Sequence, residues 1–338
     1  PPADASTSDV SDVSDVSVPD ADAIDAPACG GCARDWTAQP AVVEVDGATE
    51  LWVTSDAHGD YDTLTKLLAG GEIIAGVPSS PSSVVWTAGS AVLVVVGDVI
   101  DKGPDAPDII RMLATLRTDA KVAGGRVIVT MGNHEAEFLA DPNNSKATST
   151  DGLDPELQSI GLDASATANG ADDIGAFLRG LPIAARVDDW FFVHAGDTGG
   201  QSIAALESAI ETGVNANGFG ATILSDPSSM LEAKLSSSAP QWWDATNDPA
   251  ALLGQWTQAL GVKHLVMGHQ PGSFSFADKT TRPSDAMFEY YGGLIFFVDT
   301  GMSVGVDATG GALLHVTSPG VAGESWKEIF PNGSSQTF

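Results

Sequence analysis

Six short apolar runs punctuate the chain, at residues 51–54, 91–96, 126–131, 190–193, 264–267 and 294–298, and each breaks off into glycine or a polar turn. A brief β-branched-rich run that stops this way reads as a buried strand and its exit loop. Residues 41–45 (AVVEV) form a further strand, with Asp46-Gly47 as a hairpin turn into 48–55. Between the runs the period changes. Leu64, Leu67 and Leu68 predict a helix over 61–74. Ile109, Ile110, Leu113 and Leu116 predict another over 105–121, stopped by Gly124-Gly125. Strand–helix alternation of this kind gives an α/β sandwich. Residues 141–175, rich in Asn, Ser, Thr, Asp and Gly, read as loop with little core. Helical pieces over about 199–258 predict a cap beside the strand ends, and 286–317 is strand-like again.

Metal-type side chains stand at the exit of every run. Asp56 and His58 come after the first, Asp98 and Asp101 after the second, Asn133 and His134 after the third. His194, His269 and Asp299 come after the others. Ligands of open α/β sheets bind at the carboxyl ends of strands, so one edge collects carboxylates, an amide and imidazoles. A pair of cations needs that mixture, with one bridging carboxylate holding the ions about 3.5–4 Å apart. Asp98 is placed to bridge, Asp56 and His58 to serve one ion, and Asn133, His194 and His269 the other.

The blocks SDAHGD, GDVIDKG, GNHE, HAG and GHQ, in this order, resemble the phosphoprotein phosphatase group of calcineurin-like metallophosphoesterases, and read most like its bacterial, Shewanella-like members. The resemblance is dense over residues 49–140 and sparse over 186–305. It implies a four-layer α/β/β/α sandwich of two mixed sheets spanning residues 36–338, with two bound ions drawn from Mn, Fe or Zn. Asp56, His58 and Asp98 would hold the first ion; Asp98, Asn133, His194 and His269 the second. His134 would be the general acid, kept protonated and oriented by Asp101. Lys102, where the family usually has Arg, would contact phosphate together with Asn133. The implied reaction is hydrolysis of a phosphate monoester, on a phosphoprotein or small aryl phosphate, by in-line attack of a metal-bridging hydroxide. A phosphodiesterase or dinucleoside-polyphosphate hydrolase is the rival, and a non-catalytic surface-attached binding protein the reading outside enzymes.

Two departures bear on substrate. Lys102 offers a point charge instead of a bidentate fork. In APQWWDAT (239–246) Asp244 stands where relatives often carry a phosphate-gripping Arg, leaving Arg282 or Lys234 as substitutes. Asp60 and Asp62 read as loop or helix-cap residues, Asp299 as a turn residue after its strand, and His264 and His315 as structural. Trp242 and Trp243 are either cap core or the wall of a pocket for an aromatic leaving group.

Composition narrows the partners. The 338 residues hold 45 acidic and 15 basic side chains, a formal charge of −30. That disfavours a nucleic-acid polymer, whose phosphates need clustered Lys and Arg. It does not exclude a phosphorylated small molecule or phosphopeptide, since bound dications reverse the local field. No apolar run is long enough to span a bilayer. Residues 1–28, with the repeat SDVSDVSDV and no aromatic, read with the next few as a disordered acidic spacer over 1–35. Cys29 and Cys32 admit a redox pair, half a zinc site or a tight disulfide. The disulfide suits an exported protein, extracellular, periplasmic or on the cell surface.

Overall fold

The computed structural model describes residues 34–235, 242–245, 248–276 and 278–338. The acidic spacer up to residue 33, the Cys29–Cys32 pair and the Asp244 side chain lie outside the described residues.

Strand and helix alternate at first: β1 (Val42–Val45), β2 (Glu50–Thr54), α1 (Tyr61–Gly70), β3 (Val92–Val96), α2 (Ala106–Val122) and β4 (Arg126–Thr130). Four helices come next, α3 (Asn133–Ala140), α4 (Leu153–Ser159), α5 (Ala164–Ala168) and α6 (Asp173–Arg179). Then come β5 (Ala184–Val187), β6 (Trp190–Val193), α7 (Ile203–Asn217), α8 (Thr222–Ser225), α9 (Pro249–Leu260) and β7 (His264–Met267). The remainder is strand: β8 (Phe274–Ser275), β9 (Thr281–Arg282), β10 (Phe288–Tyr290), β11 (Ile295–Phe297), β12 (Leu313–Thr317), β13 (Ser325–Ile329) and β14 (Ser335–Gln336). All six apolar runs are strands.

Two mixed six-stranded sheets result, ordered β1-β5-β6-β7-β11-β10 and β14-β13-β12-β2-β3-β4. Within them β2, β3 and β4 run parallel, as do β6, β7 and β11. Alternation along each strand decides the layers. Val92, Val94 and Val96 of β3 meet Phe192 and Trp190 of β6 between the sheets. Leu93 and Val95 turn outward to the helices, against Leu64 of α1 and Leu113 of α2. Strands buried on both faces need helices outside both sheets, which makes the four-layer α/β/β/α sandwich. Each such buried Val, Leu or Phe contributes about 1.5–3 kcal/mol.

Two expectations fail. Asp46-Gly47 does not close a hairpin. β1 pairs parallel with β5 while β2 pairs with β3, so the turn carries the chain from one sheet to the other. Both strands bury apolar faces against the inter-sheet core, a larger gain than their mutual ladder, and the Asp188 carboxylate accepts from the Gly47 and Ala48 amides instead, at 2.7 and 2.9 Å. Residues 141–175 are not mainly loop: they contain α4 and α5 and the start of α6, burying Leu153, Leu157 and Ile174. Within this stretch α4 and α5 bury two apolar side chains each and the start of α6 only Ile174, too few to show a period. The starts of α5 and α6 are set by Asp163 and Asp172, whose side chains accept from Ala166 and Gly175 amides.

Among these short helices, α4 is anchored to the loops beyond β3. Leu153 N–H donates to Asp101 at 2.9 Å, and Glu156 Oε2 accepts from Ala106 N–H, at the start of α2, at 2.7 Å. Burial, with Asp105 and Asp101 adding to it, pushes the Glu156 carboxyl up to about 8 against the opposing amide bond. A carboxyl raised on folding stabilises below its unfolded value and loses that contribution as pH climbs through about 8. Glu156→Gln is therefore expected to melt a few degrees above the wild type at pH 9, the gap closing by pH 5. A gap independent of pH contradicts this assignment.

Candidate metal centre

The loops leaving β2, β3, β4, β6 and β7 converge on one buried point. Crossing backbone bonds tie them together: Asp56 N–H to Gly97 O (3.1 Å), His58 N–H to Asp98 O (2.9 Å) and Gly268 N–H to His194 O (2.9 Å). Their backbones are strained. Asp56, His58, Asp98, Asp101, Lys102 and His269 all have positive φ, between 42° and 72°, a region non-glycine residues seldom occupy. Close approach adds two glycine requirements. A Cβ on Gly132 would lie 2.1 Å from Asp98 Oδ1, and one on Gly268 2.3 Å from Asp56 Oδ2.

Asp98 is the hub. Its Oδ2 lies 3.3 Å from His194 Nε2, 3.6 Å from His58 Nε2 and 3.9 Å from His134 Nε2. Asp56 Oδ1 is 3.9 Å from His58 Nε2, and the Asp56 carboxylate accepts from His269 N–H at 3.0–3.2 Å. His58 Nδ1 faces Ile100 O at 3.0 Å and His194 Nδ1 faces Val96 O at 2.9 Å. A carbonyl can only accept, so both rings carry a proton on Nδ1 and turn Nε2 inward, the orientation of a metal-binding histidine. His269 Nδ1 stands 3.1 Å from His194 Nε2.

Asn133 shows what the cluster suits. With its amide nitrogen inward it donates to Asp98 Oδ2 and to the His194 and His269 nitrogens at 3.1–3.2 Å, and its oxygen accepts from Lys146 Nζ at 2.9 Å. With its oxygen inward, 3.1 Å from His194 Nε2, four lone pairs meet at one point, and its amide nitrogen faces Glu137 Oε1 at 3.5 Å. That second arrangement is a cation's coordination shell and needs one to offset its repulsion. The donor set fits a metal pair. Two groups lie within binding reach, His58–Asp98–His134 and Asp98–His194–His269, sharing Asp98. Distance alone thus admits His134 where the sequence placed Asp56.

Burial and charge together set the electrostatics. Burial alone would raise Asp98, yet the charges of His194, His134 and His58 hold its carboxyl well below the usual range. Burial opposes charging of His194, but Asp98 and Asp56 push it up to about 10. Burial takes His58 down to about 3 and, with Asp299 beside it, raises Asp56. The negative potential that holds a proton on His194 is one that also draws a cation.

All of the predicted metal and acid residues meet here. His134 Nδ1 is 2.7 Å from Asp101 Oδ2. Lys102 is exposed, its Nζ 2.9 Å from His58 Nε2. Arg282 does not substitute for the missing Arg. It is fully buried, and its guanidinium donates to the carbonyls of Gln270, Ala286 and Asp299, tying the loop after β7 to the loop after β11. Lys234 is exposed, and its charge acts on His269. Asp60 caps α1, accepting from Thr63 N–H at 2.9 Å, and Asp299 accepts from Gly301 N–H at 2.9 Å, as a turn residue does. His264 Nδ1 donates to Gly293 O at 2.6 Å and His315 stacks on Trp52. Trp243 is core; Trp242 stacks on Trp256 with ring centroids 4.8 Å apart.

Three participants went unassigned in the sequence. Glu135 is fully buried and accepts from the amides of Asp98, Val99, Ile100 and Gly132 at 2.7–3.2 Å, fixing the two loops that carry Asp98 and Asn133. Its place inside GNHE was the available signal. Glu137 and Lys146, paired at 2.6 Å behind Asn133, had none, because residue 146 reaches the site only through the course of its loop.

Comparison with known proteins agrees with this geometry. Over 85 residues the chain is 38% identical to Shewanella-like protein phosphatase 2 of Arabidopsis thaliana, covering 25% of this chain and 20% of that one. Over 109 residues it is 35% identical to a symmetrical bis(5'-nucleosyl)-tetraphosphatase of a Janthinobacterium strain, covering 32% and 34%. The chain thus spans between a fifth and about a third of these two curated relatives. A crystal structure of a cold-active protein-tyrosine phosphatase from a psychrophilic Shewanella shares the fold, with TM-score 0.65 at 20% identity over 87% of this chain and 81% of that one. The calcineurin-like phosphoesterase family model matches residues 49–273, which takes in every loop of the metal centre, and the chain belongs to that family.

Proposed function

We propose that this chain is a dinuclear-metal phosphatase acting on phosphate monoesters. The observation that carries the reading is the meeting of five separate loops on the Asp98 carboxylate, with histidine Nε2 atoms turned toward it at 3.3–3.9 Å. When bound, a metal pair supplies Lewis acidity, acidifying water and neutralising charge on the phosphoryl oxygens.

The protein's own groups do the rest. Asp56, His58 and Asp98 would hold one ion; Asp98, Asn133, His194 and His269 would hold the other. Glu137 steadies the Asn133 amide with its oxygen inward. Asp101 accepts from His134 Nδ1 at 2.7 Å and is itself fixed by Leu153 N–H at 2.9 Å. That contact fixes the ring's orientation, leaving Nε2 to deliver a proton to the departing oxygen. Lys102 brings a positive charge beside the ligands in a chain of net charge −30, while Lys146 is paired with Glu137 behind Asn133; a cation at the ligands suits an anionic monoester. The diester or dinucleoside-polyphosphate reading is kept because of the tetraphosphatase likeness and because Arg282 is withdrawn into the core, leaving fewer cationic contacts for a dianion. An exported setting belongs to the same proposal and rests on the acidic composition of residues 1–28.

Metal-loaded protein is expected to turn over p-nitrophenyl phosphate well ahead of bis-p-nitrophenyl phosphate; the reverse order selects the diester reading. His134→Asn should lower kcat by ~10²–10⁴-fold, the worth of a general acid, with metal content unchanged. Loss of a metal equivalent in that variant makes His134 a ligand, and unchanged turnover removes it from the chemistry.

A further inference from the structure

The far end of α3 holds a second concentration of positive charge. A cavity of about 430 Å³ lies there between the last turns of α3 and α7, and among the described residues its only ionised lining groups are the guanidiniums of Arg34 and Arg179. In a chain with three acidic residues for every basic one, 45 against 15, such a lining is unexpected. Two other half-buried arginines are neutralised: Arg111 pairs with Asp173 at 2.9 Å and Arg186 with Glu44 at 2.6 Å. Arg34 and Arg179 have only neutral partners among the described residues. Arg34 donates to the carbonyls of Gln39, Arg179 and Pro40 at 2.9–3.3 Å and lies 4.6 Å over the Trp36 ring. Arg179 donates through one Nη1 to Ala168 O at 3.1 Å and lies 5.6 Å from the Phe219 ring.

Carbonyls and rings thus hold both forks in place without cancelling their charge. A guanidinium carries five N–H donors, and Arg179 engages one of them in these bonds. Burial weakens the protonation of both groups, and their mutual repulsion adds to this at Arg34, against a weaker pull from Glu211. The carbonyl ends of α3 and α7 offer about half a charge each and fade within a turn, too little to offset two cations. We propose that the cavity binds a small oxyanion, a phosphate or carboxylate group, bridged by Arg34 and Arg179. Planar forks meet such groups with paired N–H···O bonds, and the volume admits the anion with a small attached moiety. The site is separate from the metal centre. Leu139 lines the cavity and Asn133 the metals, and six residues of helix place them roughly 9 Å apart along the axis.

Sulfate is the probe, raised from about 1 to 100 mM at constant ionic strength with the full chain. The Nε–Hε resonances of Arg34 and Arg179 are expected to shift together and saturate, and the melting temperature to rise. Arg179→Met keeps the stem against Phe219 but removes the fork, and should need about tenfold more sulfate for the same rise, the worth of one charge-assisted bond. Lys146→Met, at the metal centre, should respond like the wild type. Static Arg34 and Arg179 resonances in the wild type overturn the proposal whether or not a variant folds. So does a response that Arg179→Met preserves or Lys146→Met abolishes.

Discussion

Everything at the functional end of this molecule is arranged around one buried carboxylate. Asp98 sits at the exit of β3 with three imidazole nitrogens within 3.9 Å, one each from the loops after β2, β4 and β6. Charged groups are not buried without partners, and the inward Nε2 atoms of His58 and His194 cannot serve as partners to one another. They need a cation or a proton at their centre. The sandwich places five strand ends at that point, and the helices outside both sheets bury the strands that bring them there.

The arrangement is costly and is supported from behind. Six of its residues hold left-handed backbone conformations, each worth on the order of 1–3 kcal/mol of strain. Glu135 meets part of this demand. Its carboxylate gathers four amides from the loops bearing Asp98 and Asn133, and breaking that knot would free both loops at once. Ser303 supports the other side, its hydroxyl donating to the carbonyls of His58 and Lys102 at 3.0–3.1 Å. Strain concentrated where side chains must converge, with buried hydrogen bonds to hold it, is the mark of a site preorganised for a ligand.

How much of this was legible in the sequence depended on whether a feature was local. The strand exits were, because a run such as VLVVV ending in Gly97-Asp98 states both the strand and its ligand in a few residues. The pairing of strands was not: Asp46-Gly47 has hairpin chemistry, yet burial against the opposite sheet decided the outcome. The helices within 141–175 escaped because each buries too few side chains to show a period. Arg282 looked like a free cation by elimination alone. Its burial depends on the carbonyls of two distant loops, which no spacing reveals. Lys146 and Glu137 stood unseen for the same reason, being brought to Asn133 by the course of the chain after α3.

The most direct test of the central claim is elemental analysis of the purified full chain after loading with Mn, Fe or Zn and removal of free metal. About two tightly held ions per chain are expected, reduced by Asp98→Asn more than by loss of any other single ligand, because that carboxylate would be shared. A wild-type chain that retains no metal, or that retains as much after Asp98→Asn, contradicts the claim.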